Sequence, residues 1–424
     1  MWENEQRKTF IRNIVILVVL VLAASVLLFA MSSVKKQIAA EDALLSEQRS
    51  SQRQELNEAR QENLETVQQI YNEDLEMVAQ YLPGIVCWGD SLTAGSSGNV
   101  SYPLTLQKYI DTYLCDIYDL RFSVDNPDIY TRVNWEDYRI SIPVVNMGAG
   151  QEDCPTILGR AGVVPYVVQS DVVIPAGTEP VSISIASEDG RTVSPLTAGS
   201  SGINPVTIAG VQGTLTLTSS GTGWYQSAYQ FTRLEEGEET PVAKGTEIIT
   251  ACKEEYRDYI HIVWLGTYGY YGTPEQLVNN VKALLQRQNL NSDRYLVIGP
   301  CTTNGTWAYV NTTSLDAIDS AMLQAFGSHY INLRKYLIED GLRDAGLSAS
   351  KTDTAGNVPE SFRSNAGGAD MNGIAYELIG KLVFDRMDRL GYFDEVRAEL
   401  NLDKITQEIL KSDPEYFDRL LKSN

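Results

Sequence analysis

Residues 14–31 read IVILVVLVLAASVLLFAM, a run with no charge and one interruption, Ser25. As a helix rising about 1.5 Å per residue it reaches roughly 27 Å, close to the thickness of a bilayer's hydrocarbon layer. Arg7, Lys8 and Arg12 precede the run, and Lys35 and Lys36 follow it. That bias leaves the N-terminus in the cytoplasm and exports the rest of the chain. A cleaved signal peptide is the alternative, with Ala30-Met31-Ser32 as a small-x-small cleavage site. The run is longer than a usual signal core, which favours an uncleaved anchor. The expectation is a single-pass cell-membrane protein, held by one N-terminal helix, with its C-terminal domain outside the cytoplasm.

A segment without Pro or Gly follows, from Lys35 to about Gln80, rich in Glu, Gln, Arg and Ala. These are good helix formers, so a helical stalk is expected over 35–82. Leu64, Tyr71, Leu75, Val78 and Leu82 fit a heptad seam, while SEQRSSQRQE is polar all round. A sustained coiled coil needs more heptads than this. A plain spacer and a homodimer joined through the stalk both remain open.

Of the 424 residues, 34 are Lys or Arg and 55 are Asp or Glu, giving a net charge of −21. So acidic a surface repels phosphate backbones, and no basic block offsets it, so a nucleic-acid partner is excluded. The five cysteines (Cys87, Cys115, Cys154, Cys252 and Cys301) are odd in number and lack CxxC spacing. Neither a disulfide scaffold nor a thiolate metal site is implied. Asp90, Asp153 and Asp370 fall on unrelated turns and make a poor cation site. With no nucleotide-binding loop either, no cofactor is expected.

The catalytic-looking part begins after Pro83-Gly84. Ile85-Val86-Cys87-Trp88 reads as a short strand, followed by GDSLTAGSSG and a helical stretch over 102–114. A Ser at the carboxyl end of a strand stands where open α/β sheets keep their sites. Flanking glycines let the chain turn sharply and expose its amides. Val144-Val145 leads into NMGAG; 259–265 (YIHIVWL), 294–299 and 329–333 read as further strands. Helices are expected over 273–288, 314–326 and 372–390. The alternation predicts an α/β domain with a parallel sheet covered on both faces.

GDSLTAGSSG after a strand, a glycine turn after the second strand, WLGT after the third and the closing MNGIAYELIGKLVFDRMDRLGYF resemble the SGNH hydrolases, or GDSL esterases. The resemblance covers roughly residues 84–392, apart from an insert. It implies a flavodoxin-like three-layer sandwich and a Ser nucleophile, here Ser91. It further implies an oxyanion hole from a Gly amide and an Asn side chain, and an Asp-x-x-His pair before the last helix. Carried over residue by residue, three of these motifs depart. Gln151 stands at the usual Gly, with Gly148 and Gly150 nearby. The Gly-x-Asn motif is Gly266-Thr267-Tyr268, so Tyr268 replaces the Asn donor. Anchored on Asn372, the His position is Asp370 and the Asp position is Gly367. The two histidines, His261 and His329, open their strands and should face the end of the sheet opposite Ser91. A Ser without a base is a weak nucleophile, and Asp370, with a reference pKa of about 3.9, is a poor substitute.

Two readings follow. One is an ancestral O-acyl ester hydrolase acting on cell-wall or surface glycans through Ser91, with activity weak or lost. The other is a non-catalytic glycan- or protein-binding descendant. Tyr268, Tyr270 and Tyr271 offer ring faces to a sugar, or else pack their loop; Asn304, in TTNG, could also line the cleft.

Between the second and third motifs, VSISIA, VTIA and GTLTLTSS are short β-type runs separated by Gly, Ser, Asn and Pro. They predict an inserted antiparallel β-unit. The expected organisation is an anchor over 1–34, a stalk over 35–82, and a hydrolase-like domain over 83–162 and 251–392. The β-rich insert spans 163–250 and a helical extension spans 393–424. A polar, Tyr- and Asp-rich stretch at 116–139 has no assigned role.

Overall fold

In the computed structural model the described residues are 2–95, 100–126, 135–150, 152–188, 203–220, 227–269, 271–288, 293–301, 312–351, 353, 357–364 and 370–423. The chain divides into two units, Met1–Asn72 and Glu73–Asn424. The described residues of the first all belong to one helix, α1 (Trp2–Tyr81). Its apolar stretch is long enough to cross a membrane and is exposed along its whole length. The α1 helix ends at Tyr81, just before Pro83 and Gly84, whose φ of +158° lies at the margin of extended backbone.

The second unit is built on a five-stranded parallel sheet: β1 (Ile85–Gly89), β2 (Val144–Gly148), β3 (Ile260–Trp264), β4 (Tyr295–Ile298) and β5 (Tyr330–Ile331). The order across the sheet is β5-β4-β3-β1-β2, all neighbours parallel. In β1 side chains alternate between the two faces. Val86 and Trp88, with Met147, Val263 and Val297, join a core with Ile157, Leu277, Val281 and Ile318 from three helices, Cys154–Arg160, Pro274–Leu285 and Thr312–Phe326. Cys87 faces the other way, towards Tyr102, whose ring lies 5.8 Å from that of Trp264. Tyr102 opens α2 (Tyr102–Ile110), against which α3 (Gly373–Arg389) packs. At Gly380 a Cβ would lie 2.5 Å from Thr105 Cβ and 3.0 Å from Leu106 N, so only Gly allows the helices this close. Helices therefore cover both faces.

The stretch beyond Ile110 differs from a single helix ending at 114. It runs through a π-type turn (Asp111–Cys115) into a helix over Asp116–Asp125. Ile117, Tyr118 and Phe122 are buried there, so the first part of the 116–139 stretch belongs to the core. The last strand is shorter than expected, because Gly327–His329 forms a 3-10 turn and Asn332 caps the next helix through Lys335 N.

The inserted unit is a seven-stranded antiparallel sheet. Its spatial order is Val181–Ile183, Ser227–Arg233, Val211–Ser220, Val206–Ile208, Glu247–Ile249, Tyr166–Val168 and Ile185–Ser187. A separate pair joins Thr240–Val242 to Val172–Ile174. Tyr166, Val168, Ile208, Phe231 and Ile248 form its own core. After α3, the helices Asp394–Glu399, Leu402–Ser412 and Tyr416–Ser423 bury Val396, Leu402, Ile405 and Phe417. All five cysteines are buried, and none is joined in a disulfide.

Candidate active site

In this strand order the chain leaves β1 towards β2 on one side and returns at β3 on the other. The crevice beyond the carboxyl ends of β1 and β3 is where open α/β sheets bind ligands. Two loops meet there, one carrying Ser91 and the other Thr267 and Tyr268.

Asp90 begins the first loop. Its carboxylate accepts from Leu92 N at 2.9 Å and caps the single helical turn Ser91–Ala94. Gly95 closes the turn at φ +98°, its amide donating to Ser91 O at 2.9 Å. The turn fits only because its neighbours lack side chains. A Cβ on Gly89 would stand 2.1 Å from Thr93 Oγ1, and one on Gly148 would stand 2.1 Å from Ala94 N. Ser91 is thereby lifted to the sheet edge, half-buried.

The hydrogen-bond partner that the described residues give Ser91 Oγ is Tyr268 Oη, 2.6 Å away. Burial pushes the Tyr268 phenol up, against a smaller opposing pull from Ser91. The phenol therefore keeps its proton at neutral pH and is no base; either hydroxyl can donate in the pair. Asp90 is only 2% exposed, and burial raises its carboxyl to about 7. The Leu92 amide and the Thr267 hydroxyl pull it back, while the charges of Glu152 and Asp370 push it further up.

Asp370 is exposed, and its charge bears on Asp90, Tyr268 and Tyr376. It therefore lies in the neighbourhood of the serine; the backbone carbonyl of Asp370 accepts from Ser364 N at 3.0 Å. Tyr376, part of the closing motif, is fully buried in the first turn of α3, which Asn372 caps through Ala375 N at 3.1 Å.

Gly150 sits in the turn after β2, with nothing within 4 Å of where its Cβ would be. Thr267 is half-buried beside Asp90. Tyr271 leans, partly buried, on the core under the Pro274–Leu285 helix. Gln151, Tyr270, Asn304 and Gly367 lie outside the described residues.

Neither imidazole reaches the serine. His261 pairs in register with Val86, five positions before Ser91 and so roughly 16 Å away at about 3.3 Å per residue. It is buried, its Nε2 lies 2.9 Å from Tyr256 O, and burial holds its pKa down at about 4. His329 Nδ1 lies 3.0 Å from Tyr295 O and 2.9 Å from Tyr392 Oη. Tyr295 pairs with His261, so both rings sit at the amino end of the sheet. Asp153 caps its helix, accepting from Thr156 N and Oγ1. Among the described residues no group of three potential ligands gathers.

No family model matches the chain, and no curated protein matches it. Among solved structures, a peptidoglycan O-acetylesterase aligns with 77% of this chain and 96% of its own, at 13% identity and a TM-score of 0.24. A likeness of that size carries no argument about fold or chemistry, and the site stands on its own geometry.

Proposed function

We propose that this chain is a membrane-anchored protein with an SGNH-like sandwich domain outside the cytoplasm. Its ancestry is that of an O-acyl ester hydrolase of cell-envelope glycans, with Ser91 in the nucleophile's place and hydrolysis weak or lost. The observation that carries this reading is the hydroxyl pair at 2.6 Å, Ser91 Oγ with Tyr268 Oη. A serine presented at the switch point of a parallel sheet is the arrangement of an acyl-transfer site. Tyr268 stands at the oxyanion donor's position, and its protonated phenol cannot take the serine's proton; with Asp370 at the position of the missing histidine, loss of the base typically costs several orders of magnitude in rate. The same pair favours the second reading, a non-catalytic glycan- or protein-binding descendant, because it occupies the serine oxygen. Dimerisation through the stalk is compatible with either.

The test compares short-chain ester hydrolysis by the full-length protein in lipid nanodiscs with that by Ser91→Ala. A slow rate that disappears in the variant supports a residual esterase. Identical background rates remove hydrolysis and leave the binding role.

A further inference from the structure

Arg160 and Glu152 form an ion pair in the interior, with side chains 0% and 1% exposed. Arg160 Nε lies 3.1 and 2.9 Å from the two Glu152 oxygens, and Nη2 lies 2.8 Å from Oε2. The same Nη2 donates to Met147 O at 2.7 Å. The guanidinium carbon stands 5.6 Å from the centroid of the Trp88 ring. Met147 and Glu152 are the two feet of the arch that carries Ala149 and Gly150, so one guanidinium holds both ends. The arch touches the serine's strand through Ala149 N, which donates to Gly89 O at 3.1 Å. Arg160 also meets the inserted unit, because its carbonyl accepts from Thr250 Oγ1 at 2.7 Å and Cys252 Sγ at 3.1 Å, where the insert rejoins the core. Burying such a pair brings little net stability compared with apolar residues of the same volume. What the fork supplies is geometry, since a bidentate contact fixes direction as well as distance.

We propose that Arg160 is a positioning residue that, through Glu152 and the Met147 carbonyl, sets the height of the Gly150 arch beside Ser91 and ties it to the base of the inserted unit. The proposal rests on reading Ser91 as the reactive centre. An arch held this way keeps its amides fixed before charge develops on a bound acyl group, which is where preorganised donors act.

The test uses the full-length chain in nanodiscs, with Arg160→Met combined with Glu152→Gln so that no lone charge stays buried. Arg160→Lys, which keeps the charge and loses the fork, is the second variant should the double one not fold. Two quantities are read: amide hydrogen exchange over residues 147–153, and labelling of Ser91 by a fluorophosphonate, resolved into a maximal rate and a half-saturating concentration. The expected result is lost protection in the arch with β1 and β3 still protected. The maximal labelling rate falls about tenfold or more at a half-saturating concentration within about twofold of wild type. Unchanged exchange in a folded variant overturns the proposal, as does lost protection with an unchanged maximal rate or an effect confined to half-saturation. If wild type labels no better than Ser91→Ala, the reactive-serine reading fails, and the exchange result alone decides whether Arg160 holds the arch.

Discussion

Replacing Asp90 with Asn isolates the electrostatic cost of the serine's turn. The carboxyl is raised from 3.8 to about 7, chiefly by burial. At 1.36 kcal/mol per pH unit this is worth at most about 4 kcal/mol between its two protonation states. The sign follows from proton counting. Between about pH 4 and 7 the unfolded chain has released this proton while the folded chain keeps it, so stability falls as pH rises through that window. Above about pH 7 the folded protein bears the full cost of an ionised, enclosed carboxylate. In Asp90→Asn the amide oxygen still accepts from Leu92 N, because Asn caps a helix about as well as Asp. The assay is urea unfolding of the full-length chain in nanodiscs, followed through the fluorescence of the buried Trp88 and Trp264. The variant should match wild type near pH 4 and exceed it by about 2–4 kcal/mol near pH 8. Equal pH slopes for the two proteins would refute the assignment of a raised, proton-holding carboxyl beneath Ser91.

Two further perturbations probe the frame around the site. His261 is held neutral by burial, its pKa lowered from 6.5 to about 4. The stability this represents is present above pH 6.5 and lost as pH falls towards 4, roughly 3 kcal/mol in all. His261→Gln, whose amide can still donate to Tyr256 O, should flatten that acid limb in urea titrations; an unchanged limb counts against a buried neutral ring. Gly148→Ala drives a Cβ into the Ala94 and Thr93 backbone, at 2.1 and 2.5 Å, where no side chain can give way. It should cost about 3 kcal/mol, at the upper end of overpacking penalties, and lower the melting temperature measured by calorimetry. A variant as stable as wild type would mean that the β2 end and the serine's turn are not in contact.

The sheet was readable because β1, β3 and β4 are short, predominantly apolar runs, broken in β3 only by the buried His261, the pattern of strands buried on both faces. Two helix starts were readable from chemistry. Thr273 caps a helix that opens on Pro274-Glu275 and forms a capping box with Gln276, and Asn372 caps α3. The Asp116–Asp125 helix was hidden because Asp and Ser lower helix propensity, while burial of Ile117, Tyr118 and Phe122 overrides it. The site was half-visible. A serine between a strand and a glycine-rich turn announces its own position. Its contact with Tyr268 lies 177 residues away and exists only because β1 and β3 are neighbours in register, Gly89 opposite Trp264. Both loops then leave the sheet at the same height. Arg160 left a trace, a lone charge within TILGRAGVV, but its partner stands eight positions earlier, off any shared helix face. Strand order thus does more here than sequence motif. Once β3 lies beside β1, whatever follows Trp264 by a few residues is delivered to Ser91, and a histidine at the second position of β3 is delivered to the far end. The chemistry of the crevice is decided by which residue occupies the loop after β3, and in this chain that residue is a tyrosine.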